Sequence, residues 1–215
     1  MKLSDMTVRD FLSDLGSDSP APGGGSVAAL CGALGASLVA MVGRLSAGRP
    51  ASRETTDADG VRAAMEAAVR DGDELSRRFL SLMEEDTAAF NAYMQALKLP
   101  KGTDDEKAAR RRAMQEAMKG AASVPLETLR LCERVVALSH DVAAMGNRNA
   151  LSDAGVAALT ANAAAVGASH NVRLNLLSIA DADFVARTSA EPLDILARVE
   201  DGARGVRDIV EHSFA

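Results

Sequence analysis

One carboxylate lies where the helical pattern calls for an apolar residue. Around Asp86, apolar side chains recur with helical spacing, and on a wheel of 100° per residue five of them fall within about 40° of it. These five are Phe79, Leu82, Phe90, Tyr93 and Leu97. Burial penalises the charged form of a carboxyl and raises its pKa, which suits proton transfer near neutral pH. Asp86 is therefore a candidate catalytic residue, and the alternative is a buried Asp held by an Arg or by backbone donors.

A glycine-rich segment precedes a wholly apolar stretch. Residues 22–26 have the sequence PGGGS. Three glycines allow several backbone N–H groups to approach one point, and the start of the following helix favours an anion. Gly23, Gly24, Gly25 and Ser26 are therefore predicted to bind a substrate carboxylate or phosphate. A turn required for tight helix packing is the alternative explanation.

Further polar residues mark a second apolar stretch. Four of them precede it or lie at its start, and two lie near its end: Asn147, Asn149, Ser152, Asp153, Arg173 and Asn175. Ser152 or Asp153 also suits a helix cap. Asp153 and Asn175 are about 33 Å apart along a straight helix, so they do not both touch one small reacting group in one chain. Either a partner chain brings the far end close, or the two ends hold opposite ends of a long ligand.

The histidines and cysteines predict no metal site. His140, His170 and His212 lack metal-ligand spacing and have no Cys nearby. Cys31 and Cys132 lie far apart within helical patterns, which favours free thiols and a reducing compartment. The prediction is therefore a cytoplasmic protein with no metal.

The elements that must position these residues are all helical. Helices are predicted over 7–15, 26–45, 57–99, from about 106 to 145, 154–180 and 192–212, with a kink or restart at Pro125. No stretch alternates as strands do, and 215 residues suit one domain, 1–215. Hydrophobic residues make up 47% and aromatic residues 3%, so Ala, Leu, Val and Met must fill the core. We predict an all-α, single-domain bundle of long helices around a buried Gly/Ala-rich helix.

Charge and composition exclude several partners. The net charge is −6, whereas binding to nucleic acid or anionic membranes relies on clustered Lys and Arg. The uncharged run 21–43 begins with Pro and Gly and favours a buried helix over a membrane span. The charged residues within 1–15 predict no signal peptide. Two helices that are apolar all round, 27–43 and 154–169, indicate a homodimer, because one domain covers only one such helix fully.

Five motifs in order resemble one enzyme family. They are PGGGS, EEDTAAFNA around Asp86, LPKGTDDEKAARRRAMQEAMKGAASVPLE, GNRNALSDAGVAAL and NVRLNL. Together they are similar to the formiminotetrahydrofolate cyclodeaminase and methenyltetrahydrofolate cyclohydrolase family, from about residue 5 to residue 200. The resemblance implies an all-helical fold, an intertwined homodimer with its site at or near the subunit contact, and a folate substrate without metal or redox cofactor.

The resemblance also carries over to individual positions. Seven residues match the family's motif residues: Asp86, Asn147, Asn149, Ser152, Asp153, Arg173 and Asn175. One segment departs, because the family has Gly followed by Lys residues and a Tyr where Gly48 is followed here by Arg-Pro-Ala-Ser.

The leading prediction is a methenyltetrahydrofolate cyclohydrolase, the first of three functions that the resemblance leaves open. In the first, a cyclohydrolase adds water to the amidinium carbon of methenyltetrahydrofolate to give formyltetrahydrofolate. Asp86 and Asp153 would then move the protons, the Asn residues would orient pterin or water, and Arg173 with PGGGS would meet the glutamate tail. The second is a formiminotetrahydrofolate cyclodeaminase that releases ammonia. The third is a catalytically silent folate-binding or dimerisation protein, which the changed segment after Gly48 keeps open.

Overall fold

The computed structural model describes residues 2–47 and 57–214, which form seven α-helices and two 3₁₀ turns. The helices are α1 (Val8–Leu15), α2 (Gly24–Ala47), α3 (Ala58–Leu97), α4 (Asp104–Met145), α5 (Leu151–Leu176), α6 (Ala182–Ser189) and α7 (Glu191–His212). The turns are Leu3–Asp5 and Arg148–Ala150. These ranges contain no strand, so the predicted all-α fold is confirmed.

The Gly/Ala-rich helix α2 is the buried centre of the bundle, as predicted. It packs mainly between α3 and α5 and also touches α4. Small residues permit close approach: a Cβ at Gly35 would lie 2.9 Å from the carbonyl oxygen of Ala157 on α5. Within the described ranges, α2 is also the one helix long and apolar enough to cross a membrane by length and composition. Its place in the core accounts for that apolar character, since 61% of the most apolar window is buried inside the bundle.

Two predicted boundaries at the polar segments are wrong. Helix α2 begins at Gly24, so Ser26 lies inside its first turn and does not cap it. Helix α5 begins at Leu151 with no side-chain cap, so Ser152 and Asp153 lie in its first turn rather than at its cap. At the other end, α5 stops at Leu176 instead of about residue 180, and α6 follows as a separate helix that the sequence pattern did not predict.

Pro125 lies inside one continuous helix, so the predicted restart at this residue is wrong. Proline has no N–H and leaves the carbonyl four residues earlier, that of Ala121, without its helical partner. The side-chain amide of Asn175 on α5 donates to that carbonyl oxygen at 2.6 Å. Helix α5 thus supplies the hydrogen-bond donor to the Ala121 carbonyl that Pro125 lacks.

Candidate active site

The N-terminal end of α2 opens onto a cavity of about 340 Å³. Four parts of the chain close it: the segment before α2 with the first residues of that helix, the second half of α3, the middle of α4, and the end of α5 with the loop that follows. The lining residues are Pro20, Ala21, Gly23, Gly24, Gly25, Asp86, Phe90, Tyr93, Met118, Ala121, Asn171, Asn175 and Ser178. The volume lies within the range of about 300 to 1,000 Å³ that small-molecule sites occupy.

Asp86 lies in this wall where the buried face of α3 becomes the cavity surface. Phe79 and Leu82, earlier on the same face, are fully buried, whereas Phe90 and Tyr93 beyond it are half-buried and line the cavity. Helical periodicity therefore placed Asp86 on the correct face. Its carboxyl stands where the apolar core of α3 gives way to an opening large enough for a ligand.

The Asp86 carboxyl is held by the first turn of α2. The hydroxyl of Ser26 donates to Asp86 Oδ2 at 2.9 Å, and the backbone N–H of Ser26 also bonds to the carboxyl. Burial raises the pKa of Asp86, and the two hydrogen bonds from Ser26 oppose that rise without cancelling it. Asp86 is thus a carboxyl tuned toward neutral pH that faces a cavity, as a general base or acid requires.

The nearest arginine of α3 does not neutralise Asp86. Arg78 binds Glu85 on its own helix and Glu127 on α4, with Nη2 to Glu127 Oε2 at 2.7 Å. This cluster raises the pKa of Arg78 and lowers that of Glu85. Of the two alternative partners predicted for a buried Asp86, the backbone donor is present, since Ser26 binds the carboxyl. Arg78 is not its partner, because it binds Glu85 and Glu127 instead.

The glycines of PGGGS differ in what lies next to them: Gly25 lies against the Asp86 carboxyl, whereas Gly24 has more room beside it. A Cβ at Gly25 would collide with the Asp86 carboxyl, since it would lie 2.6 Å from Cγ. A Cβ at Gly24 would meet only Asn171 Nδ2, at 3.9 Å. No glycine in the described ranges has a positive φ, so close approach and not backbone conformation requires glycine at position 25. Gly23, Gly24 and Gly25 line the cavity, whereas Ser26 is fully buried behind it.

Two asparagines on α5 complete the polar part of the wall. Asn171 donates from Nδ2 to the carbonyl oxygen of Gly167 at 2.8 Å, and Asn175 donates to that of Ala121. Each of these bonds uses one of the two N–H donors of the amide, so each side chain keeps one donor and its acceptor oxygen. The cavity wall therefore contains acceptor oxygens of Asp86, Asn171 and Asn175 and one further N–H donor on each amide, which suits a polar ligand edge.

The second predicted polar group lies at the other end of α2. The backbone N–H of Asn147 donates to Ser46 Oγ at 2.8 Å, and its Nδ2 donates to the carbonyl oxygen of Leu45 at 3.4 Å. Its Oδ1 accepts from the backbone N–H of Asn149 at 3.0 Å, which shapes the 3₁₀ turn before α5. Ser26 binds Asp86, and Ser46 binds Asn147, which lies shortly before Asp153. The two serines are about 30 Å apart along α2. Asp86 and Asp153 therefore do not meet in one chain.

Arg173 lies on a different surface from Asp86. It lines a second, more open cavity with His170, Leu174, Leu176, Leu177, Val185 and Ser189, between the end of α5 and α6. PGGGS and Arg173 are not brought together in one chain. Asn175 is the one residue from the end of α5 that was predicted for the site and also lines the Asp86 cavity.

The sequence model of a protein family, described as formiminotransferase-cyclodeaminase, matches residues 7–192 of this chain. The chain belongs to this family. A methenyltetrahydrofolate cyclohydrolase of Methylorubrum extorquens is 41% identical over 94% of this chain and 93% of its own length. The formimidoyltransferase-cyclodeaminase of Mus musculus is 36% identical over 86% of this chain, which spans only 33% of that longer protein. The crystal structure of formiminotetrahydrofolate cyclodeaminase from Thermotoga maritima has a TM-score of 0.84 at 26% identity, with both chains fully covered.

Membership of the cyclodeaminase family confirms the predicted resemblance and its helical fold. The segment that departs from the family, Gly48 with the following Arg-Pro-Ala-Ser, lies outside the described residues. Within the ranges that are described, no group of three or more His, Cys, Asp or Glu side chains is arranged to hold a metal ion.

Sequence reasoning did not select several residues of the site. Asn171 lies one helical turn before Asn175, and that spacing was the available signal for it. Met118 and Ala121 come from α4, and Pro20, Ala21 and Ser178 from loops, so only the packing of separate segments brings them to Asp86. Pattern within one helix carries no information about these neighbours.

Proposed function

We propose that this chain is a methenyltetrahydrofolate cyclohydrolase, with the Asp86 cavity as its active site. The observation that carries the proposal is a carboxyl of raised pKa in a ligand-sized cavity. The relatives are named as enzymes, which supports the predicted enzyme class. The cyclohydrolase relative is 41% identical over nearly its whole length, whereas the fully covered cyclodeaminase structure is 26% identical, and this difference in identity favours the cyclohydrolase activity.

The charge of the site suits an amidinium substrate. The carbon that bridges the two folate nitrogens of the methenyl group carries positive charge, and Asp86 is the carboxyl that faces the cavity. Attraction between opposite charges is stronger in a poorly solvated site than in water. The cavity therefore favours the cationic ring form over the neutral formyl product.

Asp86 performs both proton transfers in this proposal. It accepts a proton from water as the water oxygen bonds to the amidinium carbon, and it then protonates the nitrogen whose bond to that carbon breaks. The hydroxyl on the former amidinium carbon loses its proton to solvent as the C=O bond of the formyl group forms, so the products are formyltetrahydrofolate and one proton, which balances the cation and water consumed. Asp153 can take part only across a subunit contact, because it lies at the far end of α2 in its own chain.

The remaining residues position the ring. The side-chain oxygens of Asn171 and Asn175 accept from the N–H donors of the pterin, and Phe90 and Tyr93 provide an aromatic wall for it. In the same proposal, Asn147, Asn149 and Ser152 act from the partner's chain. Arg173 meets glutamate carboxylates on the outer surface of α5, and no cofactor takes part.

We also propose a cytoplasmic homodimer. Helices α2 and α5 pack against each other and both expose apolar side chains, with Leu34 51% and Leu159 57% exposed. Such a surface is better covered by a second copy than by water. An antiparallel contact between two such pairs brings the Asp153 end of one chain toward the Asp86 end of the other.

The test offers the purified protein methenyl- and formiminotetrahydrofolate separately and follows the amidinium absorbance. We expect the chromophore of the methenyl compound to disappear much faster than in buffer. Appearance of that chromophore from the formimino compound, with release of ammonia, would instead establish the cyclodeaminase. No enzyme-dependent change with either compound would contradict both activities and favour the silent folate-binding protein.

A further inference from the structure

Ser26 bonds to the Asp86 carboxyl without reaching the cavity. Its side chain is fully buried in the first turn of α2, and its hydroxyl contacts both Asp86 Oδ2, at 2.9 Å, and Thr87 Oγ1, at 3.3 Å. A side chain enclosed in this way cannot contact a substrate. Its polar contacts are directed at the carboxyl and at the residue that follows it on α3.

The direction of these hydrogen bonds follows from counting protons. A serine hydroxyl has one hydrogen, and a carboxylate can only accept. Because Ser26 donates to Asp86, it can only accept from Thr87, so the Thr87 hydroxyl is the donor in their contact. The chain of donation therefore runs from Thr87 to Ser26 to Asp86.

We propose that Ser26 is a positioning residue for Asp86 and that Thr87 orients the Ser26 hydroxyl. The inference rests on the proposed function, since it assigns how the proton-transferring carboxyl is held. PGGGS then supplies the carboxyl with its cradle: Gly25 leaves room for it, and Ser26 binds it through the hydroxyl and the backbone N–H. The helix start that the sequence assigned to a substrate anion is occupied by the protein's own carboxyl.

The expected consequence is a shift in protonation. Hydrogen-bond donors stabilise the charged form of a carboxylate and lower its pKa, whereas burial raises it. Loss of the Ser26 hydroxyl removes one of these donors, so the pKa of Asp86 should rise further. Burial and the hydrogen bonds from Ser26 are the causes that set the direction of the Asp86 pKa. Among the residues that line the cavity with it from α2, α3, α4 and α5, Tyr93 is the one other titratable group.

The experiment compares Ser26→Ala with a buried serine elsewhere. Ser139 is equally buried and bonds only to the carbonyl of Val135 in its own helix, so Ser139→Ala is the matched control. In Ser26→Ala, we expect the low-pH limb of kcat/KM to move up by on the order of one pH unit. We also expect kcat to fall about tenfold with little change in KM, because the carboxyl is less well oriented. Ser139→Ala should show the wild-type pH profile.

Thr87 provides a second pair of variants. Thr87→Val removes the hydroxyl but keeps the shape, and should shift the pH profile in the same direction by a smaller amount. Thr87→Ser keeps the hydroxyl and should restore the wild-type profile. A folded Ser26→Ala protein with wild-type kcat and pH limb would overturn the inference.

A readout without substrate separates this inference from the proposed activity. NMR titration of a ¹³C-labelled Asp86 carboxyl, assigned with Asp86→Asn, gives its pKa directly in wild type and Ser26→Ala. A higher pKa in Ser26→Ala supports the positioning role even when neither folate compound reacts. An unchanged pKa refutes it even when the wild type is an active cyclohydrolase.

Discussion

Asn175 on α5 donates to the Ala121 carbonyl oxygen, which Pro125 leaves without its helical partner on α4. Ala121 and Asn175 both line the cavity, so this bond fixes the distance between two of its walls. Proline in α4 and asparagine in α5 thus form one structural unit: the first frees an acceptor, and the second uses it.

The two residues should be energetically coupled. Asn175→Ala leaves a half-buried carbonyl without a donor and should lower the free energy of unfolding by about 1–3 kcal/mol. In a Pro125→Ala background the restored N–H can bond to Ala121, so the same substitution should cost clearly less. Urea unfolding of the two single variants and the double variant measures the coupling. Equal costs in both backgrounds would show that the carbonyl does not depend on Asn175.

Adjacent glycines at the start of α2 should differ sharply. Gly25→Ala drives a methyl group into the Asp86 carboxyl and displaces it, and we expect activity to fall by about 100-fold. Gly24→Ala meets only Asn171, at 3.9 Å, and should lose less than about tenfold while staying folded. Steady-state rates with circular dichroism of both variants make the comparison. Similar losses in the two variants would contradict the assigned role of Gly25.

Asp86→Asn should separate activity from stability. The amide keeps the packing but cannot accept a proton, so turnover should fall roughly 100-fold or more. The pKa of Asp86 is higher in the folded chain than its ordinary value. The free energy of unfolding therefore falls as pH rises from the ordinary pKa through the folded-state pKa. The variant should therefore gain stability over wild type near pH 7 to 8, and the gain should fade toward about pH 4.

Thermal unfolding of the wild type and of Asp86→Asn between about pH 4 and pH 8 measures this difference in stability. A stability difference that stays constant with pH would show that the Asp86 pKa is not raised. Near-normal turnover in a folded Asp86→Asn protein would show that the carboxyl is structural.

The proposed dimer should depend on Leu159. Light scattering of the wild type at micromolar concentration should give twice the chain mass, and Leu159→Glu on α5 should shift it toward the monomer. Leu12 on α1 is 58% exposed against 57% for Leu159, so Leu12→Glu is a control of matched exposure and should remain dimeric. A monomeric wild type rules out the dimer. A dimer that survives Leu159→Glu would place the contact away from α5, and dissociation by both substitutions would show that the contact is not confined to α5.

The sequence by itself determined the fold class, the long helices and one decisive residue. Helical spacing, the absence of strand alternation and the small-residue composition of α2 are local properties, so they predicted the all-α fold and its buried centre. The same periodicity found Asp86, because a charged residue within an apolar stripe is visible along one helix.

Tertiary structure alone decided which residues share the site. The function predicted from the sequence assigned PGGGS, Asp153 and Arg173 to one folate site, but within one chain α2 separates PGGGS from the Asn147 and Asp153 end by about 30 Å. It also assigned Ser26 to a substrate, whereas the packing of α3 against α2 directs its hydroxyl to Asp86. The angle and register at which helices meet depend on side chains distant in sequence, so only the folded chain shows that PGGGS cradles a carboxyl of the protein itself.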